Sequence, residues 1–188
     1  MRKAPLVLMV IPLILSASAL EAKNREKAWE FSGLVTHIDG DSGSGVDNAL
    51  GPEARIGYNI SDRIEAELVL DFASGETAGR DASYMRSTVN VTGNFLTDRE
   101  TPWIPYVTAG LGVITHTIDA TTDSSGNDVL ESYDAAAILS LGVGTRYFWS
   151  DNWGGRMEAR YNHHDSFSEN QDEYVLALGV TWLVGGAR

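Results

Sequence analysis

The 188-residue chain has no cysteine and, after Lys27, no lysine. The first absence excludes a disulfide framework and a thiolate metal site. The second is unusual for a water-exposed surface, where lysine is normally common. Proline is scarce, with five residues. Beyond the N-terminus no apolar run approaches the roughly 20 residues of a membrane-crossing helix, which excludes a helical inner-membrane protein. The formal net charge of −12 argues against nucleic acid as a partner.

What is present begins with an export signature. Arg2 and Lys3 precede an almost wholly apolar stretch from Pro5 to Leu15. Small residues follow, with Ala17-Ser18-Ala19 and Leu20-Glu21-Ala22 as candidate cleavage sites. Basic, apolar and small residues in that order predict a secretory signal peptide over 1–22, leaving 23–188 as one domain. A membrane-anchoring helix is the competing reading, and the apolar stretch is short for it. No cysteine follows the cleavage region, so no lipid-anchored cysteine is available.

The mature part reads as eight segments of alternating apolar and polar residues, the mark of two-faced β-strands. The third is the clearest: Ile64, Ala66, Leu68, Leu70 and Phe72 oppose Arg63, Glu65, Glu67 and Asp71. The fifth sets Val107, Ala109, Leu111 and Val113 against Tyr106, Thr108, Gly110 and Gly112. Short connections (Ser61-Asp62, Ser150 to Asn152, and the longer Thr97 to Pro102) alternate with long polar ones at 39–51, 73–83, 116–134 and 163–173. Short turns at one end and long loops at the other predict an all-β, eight-stranded antiparallel up-and-down transmembrane β-barrel in the cell outer membrane.

Alternation alone leaves a soluble barrel open, with its apolar face inward around a ligand. Two features of the polar face favour the inverted arrangement. It carries Gly57, Gly110, Gly112, Gly142, Gly144 and Gly179, as the crowded inside of a narrow barrel requires. It also carries both signs of charge: Arg55, Arg63, Arg86, Arg146, Arg156 and Arg160 against Glu30, Glu53, Glu65, Glu67, Asp71 and Glu158. These twelve residues are expected to pair inside a closed cylinder, since the arginine fork suits bidentate contact with carboxylates. Glu65 or Glu67 with Arg86, and Glu158 with Arg146, are the expected neighbours. Eight strands leave just enough room for side chains, so the network reads as a plug, with a polar pore as the alternative.

Specific motifs add a family. Pro105-Tyr106-Val107-Thr108-Ala109-Gly110-Leu111-Gly112 resembles the "PYVGAGLG" strand of the outer-membrane β-barrel-domain family, the OmpA/OmpX-like eight-stranded barrels. Gly142 to Phe148 followed by Ser150-Asp151-Asn152 resembles that family's sixth strand and turn, and Arg156 to Tyr161 its "RLEYRY" seventh strand. The likeness covers 103–183; the first half fits by pattern alone. It implies an integral outer-membrane protein in contact with outer-membrane lipid and lipopolysaccharide and inserted by the barrel-assembly machinery. Members of the family usually end on an aromatic residue read by that machinery. Here Trp182 is followed by six more residues, so either Trp182 serves in a displaced position or another signal is used.

Acidic residues dominate the four long connections, which could meet an extracellular ligand. Asp39-Gly40-Asp41-Ser42-Gly43 hints at a Ca²⁺ loop but has Ser44 where an EF-hand needs glycine. No cofactor or metal is expected. His163-His164-Asp165-Ser166 is the one stretch that suggests catalysis. Lipid A deacylases of the outer membrane are also eight-stranded barrels. Their His-x-Ser motif and later Glu resemble His164, Ser166 and Glu173, the order of base, nucleophile and orienting acid. Phe167 stands where that motif has Asn, and the spacing to Glu is shorter. The principal expectation is a non-enzymatic barrel with a structural or surface-interaction role. A lipid A acyl hydrolase is the first alternative, and a narrow channel or small-solute carrier the second.

Overall fold

The computed structural model describes residues 25–40, 49–77, 80–95, 102–118, 121–122, 128–129, 132–166 and 169–186. The expected signal peptide and the Asp41–Gly43 part of the possible Ca²⁺ loop lie outside them. Ten strands follow in chain order: β1 (Ala28–Gly40), β2 (Ala49–Asn59), β3 (Ile64–Thr77), β4 (Arg80–Asn94), β5 (Trp103–Ile118), β6 (Thr121–Thr122), β7 (Asp128–Val129), β8 (Ser132–Phe148), β9 (Trp153–Ser166) and β10 (Glu169–Gly185). Eight of them close a barrel in the order β1-β10-β9-β8-β5-β4-β3-β2, while β6 and β7 form a separate two-stranded ribbon in the β5–β8 connection. Every neighbouring pair in the barrel is antiparallel, and β1 closes it by pairing with β10 from Ala28↔Gly185 to Gly40↔Glu173. Closure satisfies the backbone N–H and C=O groups that lipid cannot.

The alternation resolves into an inside and an outside. Leu111 is 68% exposed and Leu178 65%, whereas Arg146 and Glu65 are fully buried. Apolar side chains therefore coat the outer wall and charges fill the lumen, the opposite of a soluble ligand-binding barrel. The short turns and both strand ends nearest the termini lie at one end, which is the periplasmic end of such a barrel.

The long connections are shorter than the sequence suggests. Only residues 78–79 separate β3 from β4, and 167–168 separate β9 from β10. Strands of up to 17 residues exceed the ~9–11 that cross a bilayer. Above the membrane, polar side chains do not oppose strand pairing, so the ladders run on into segments whose composition reads as loop. Arg63 also departs from expectation. The β2–β3 turn ends at Arg63, which is exposed there, and β3 starts one residue later.

Apolar residues close the lumen at both ends. Ala28, Ile104, Phe148 and Leu183 cluster at the periplasmic end. Ile38, Ala49, Ala73, Tyr84 and Val175 cluster toward the extracellular end, beside Ile114, Ala136 and Ile138. Outside, all five tryptophans of the chain (Trp29, Trp103, Trp149, Trp153 and Trp182) stand exposed near the periplasmic end. Trp153 stacks on Trp182 at 5.7 Å between ring centroids, and Trp103 packs on Tyr147 at 4.8 Å. They form the periplasmic aromatic girdle, where amphipathic rings bridge hydrocarbon and headgroups. Tyr161 and Tyr174, 5.7 Å apart, mark the other side.

Candidate functional site: a charged lumen

Between the two apolar ends, inward positions from all eight barrel strands meet in one continuous network. Arg146 on β8 pairs with Glu30 on β1 at 2.9 Å and with Glu65 on β3. Arg156 on β9 pairs with Glu30 at 3.2 Å and grips Glu67 with both terminal nitrogens, one of them at 3.0 Å. Arg55 on β2 contacts Glu53 and makes a two-pronged contact with Glu158, at 2.7 and 2.9 Å. Arg160 joins Glu53 to Glu158, the latter at 3.2 Å. Arg86 on β4 pairs with Asp71 on β3 and with Glu173 on β10, the latter at 2.6 Å. Asp71 and Arg160 approach to 3.7 Å, linking the upper part of the network to the middle. All of these side chains are at most 5% exposed.

Tyr106 on β5 is the hub of the periplasmic half. Its hydroxyl donates to Glu158 at 2.7 Å and accepts from Arg156 Nε at 2.9 Å. The guanidiniums of Arg146 and Arg156 lie 4.7 and 4.8 Å from its ring centroid, cation–π distance on two sides. The ring has room because its cross-strand partner is Gly144. A Cβ there would strike the Tyr106 ring and come within 2.6 Å of the Met157 carbonyl oxygen.

Eleven of the twelve charged residues singled out in the sequence thus stand in the lumen, and Arg63 does not. The expected pairings are corrected. Arg86 meets Asp71 and Glu173, not Glu65 or Glu67, and Arg146 meets Glu30 and Glu65, not Glu158. The offset between strands in a tilted barrel decides such cross-lumen partners, and residue type does not reveal it. Glu173, singled out in the sequence only as a catalytic candidate, and Tyr106, placed there on the polar face, are network members outside the expected set of twelve. Inward spacing on their strands was the available signal: Glu173 shares a face with Ala177 and Thr181.

Glu30, Glu65 and Glu67 bring carboxylate oxygens within 4.8 Å of one another. The guanidiniums of Arg146 and Arg156 already contact all three carboxylates. The catalytic candidates are placed differently from the expectation of a long polar connection over 163–173. His164 is a strand residue of β9, 2% exposed and facing the lumen. Its Nε2 lies 3.4 Å from Glu173, whose other oxygen holds Arg86, and its ring is 5.3 Å from that of His116. Ser166 ends β9 and pairs through its backbone with Glu169; its side chain lies outside the described residues.

A closed cylinder of eight strands with an apolar outer wall agrees with the comparisons. The family model described as outer membrane protein beta-barrel domain matches residues 8–182. The chain belongs to this family. As a member of the outer-membrane β-barrel-domain family it is an integral protein of the cell outer membrane. Neisserial surface protein A is similar, with 19% identity and a TM-score of 0.68 over 84% of this chain and 99% of that one. Ail, the attachment invasion locus protein of Yersinia pestis, aligns with 12% identity and a TM-score of 0.54 over 85% and 99%. OprG of Pseudomonas aeruginosa aligns with 13% identity and a TM-score of 0.53 over 89% and 100%. At these identities the likeness is one of fold. No curated protein matches the chain.

Proposed function

We propose that this outer-membrane barrel is a sealed wall element that acts through its extracellular end and not through its lumen. The observation that carries the reading is the succession along the cylinder, among the described residues, of a buried apolar cluster, a paired charge network and a second buried apolar cluster. Of the segments that join the strands above the bilayer, 41–48 and 119–131 carry the acidic residues. Ail is known in complex with the heparin analogue sucrose octasulfate, a polyanion. The acidic loops here suit the opposite partner, a basic protein or polyamine surface, by charge complementarity. Contact with lipopolysaccharide and insertion by the barrel-assembly machinery belong to the same proposal. Acyl hydrolysis does not, because His164 is turned into the closed lumen, away from the lipid that would be its substrate.

Planar-bilayer recording tests the reading. The purified barrel gives no unitary current above the protein-free baseline, and a variant that opens the lumen, Arg156→Ser with Tyr106→Ser, does. Reproducible unitary current from the wild-type barrel would replace this proposal with the channel.

A further inference from the structure

The charges of the lumen do not balance. Among the described residues, seven carboxylates are buried there against five guanidiniums, a shortfall of two positive charges. An unmatched charge shut away from water is costly and is normally neutralised or paired. The shortfall has a place. Glu30, Glu65 and Glu67 stand near the periplasmic ends of β1 and β3 and share Arg146 and Arg156 as their close partners. Arg55 approaches Glu67 only to 3.7 Å and is held by Glu53 and Glu158.

The contacts on this group are one-sided. Ser32, Thr181, Arg146 and Arg156 all converge on Glu30 Oε1, at 3.4, 2.8, 2.9 and 3.2 Å. Among the described residues Glu30 Oε2 has no hydrogen-bond partner. Arg146 holds Glu65 Oε2, and Glu65 Oε1 likewise has no partner there. Asn59, opposite Glu65 in the β2–β3 ladder, is fully buried, and neither atom of its amide has a partner among the described residues. Gly57 makes the room. It lies in one cross-strand row with Glu30 and Glu67, and a Cβ at that position would strike Glu65 Oε1. Glu65 thus reaches over a residue without a side chain, and the three carboxylates bring oxygens within 4.8 Å of one another.

We propose that Glu30, Glu65 and Glu67, with the amide oxygen of Asn59, bind one divalent cation of the calcium and magnesium class inside the barrel. The donors are all oxygens, which suits a hard cation and not zinc or copper. Opposite ligands of a calcium ion, each at about 2.4 Å, stand about 4.8 Å apart, so oxygens this close can share one ion. Two charges are what the lumen lacks. Glu30 Oε2, Glu65 Oε1 and Asn59 Oδ1 are the oxygens that no guanidinium has taken, and buried polar atoms without partners are rare enough that three side by side call for a ligand. The approach is from the periplasm. Ala28 is the one inward residue of β1 between Glu30 and that end, and its cluster with Ile104, Phe148 and Leu183 covers the site. The ion is therefore taken up as the barrel closes.

Native mass spectrometry tests this on the barrel refolded from urea into detergent micelles with calcium, with magnesium or with EDTA. Each sample is then washed with EDTA, which strips ions from the outer loops. The expected result is one calcium or magnesium ion per wild-type barrel, and none after refolding in EDTA. Glu65→Gln keeps an acceptor for Arg146 but gives up a ligand charge, and retains at least tenfold less metal. Asn59→Leu removes a neutral ligand and also retains less, a loss that protons shared between carboxylates would not produce. Glu173→Gln removes a lumen carboxylate outside the site and retains the ion. Heat-modifiable gel mobility confirms that each variant is folded. A washed wild-type barrel without metal overturns the proposal and leaves protons as the balancing charge. So does equal retention by wild type and Glu65→Gln, or a loss from Glu173→Gln as large as that from Glu65→Gln.

Discussion

Arg86 and Glu173 meet at 2.6 Å across the barrel axis, joining β4 and β10, two strands that share no backbone hydrogen bonds. Such a contact ties opposite walls together and depends on closure of the whole cylinder. Arg86→Met strands Asp71 and Glu173 as buried carboxylates and should cost about 3–5 kcal/mol, the usual penalty for breaking a buried pair from one side. Replacing all three, with Asp71→Asn and Glu173→Gln added, removes the unpaired charge and should recover most of that loss. Urea unfolding from lipid vesicles, followed by gel mobility, measures both.

Tyr106 offers a finer cut. Tyr106→Phe keeps the ring between Arg146 and Arg156 but removes the hydroxyl that serves Glu158 and Arg156. A loss of about 1–3 kcal/mol is expected from the polar groups left short of a partner. Tyr106→Leu also removes the cation–π contacts and should cost more. The same urea midpoints rank the two.

Two glycines make opposite predictions. Gly144→Ala places a methyl against the Tyr106 ring and the Met157 backbone, and backbone in a closed sheet has little freedom to retreat. The change should destabilise by about 1–3 kcal/mol. Gly33→Ala points outward with nothing within 4 Å of the new methyl, and should stay within about 0.5 kcal/mol of wild type. Both are read as shifts in the unfolding midpoint.

The lipid face tolerates size more readily than charge. Leu111 stands midway along β5 and is 68% exposed on the outer wall. Leu111→Arg should cost about 2–4 kcal/mol, the depth-dependent penalty at the bilayer midplane. Equilibrium unfolding from large vesicles checks it.

The faces of the strands were legible in the sequence because the pleat has a period of two residues, so each tripeptide such as Glu65-Ala66-Glu67 reports its own orientation. The closed ends of the lumen left a fainter mark. Trp103-Ile104, Tyr147-Phe148 and Trp182-Leu183 break the alternation with paired apolar residues, one for the girdle and one for the periplasmic cluster. The salt-bridge partners were not legible. Arg86 lies opposite Asp71 in register on the adjacent strand, but its second partner, Glu173, is brought near only by the offset between strands around the cylinder. Loop lengths were misread for a related reason. Composition tells where the membrane ends, not where backbone pairing ends, so residues such as His116 and His164 read as loop and are strand.

The absence of native cysteine allows the central claim to be tested by single spin labels, comparing collision with oxygen, which dissolves in lipid, and with a water-soluble nickel reagent. Labels at Val107→Cys, Ala109→Cys, Leu111→Cys and Val113→Cys should collide with oxygen and not with nickel. Labels at Thr108→Cys and Ser140→Cys should be shielded from both. Nickel accessibility at the inward positions, or the loss of the two-residue period, would contradict a lipid-coated cylinder with a filled interior.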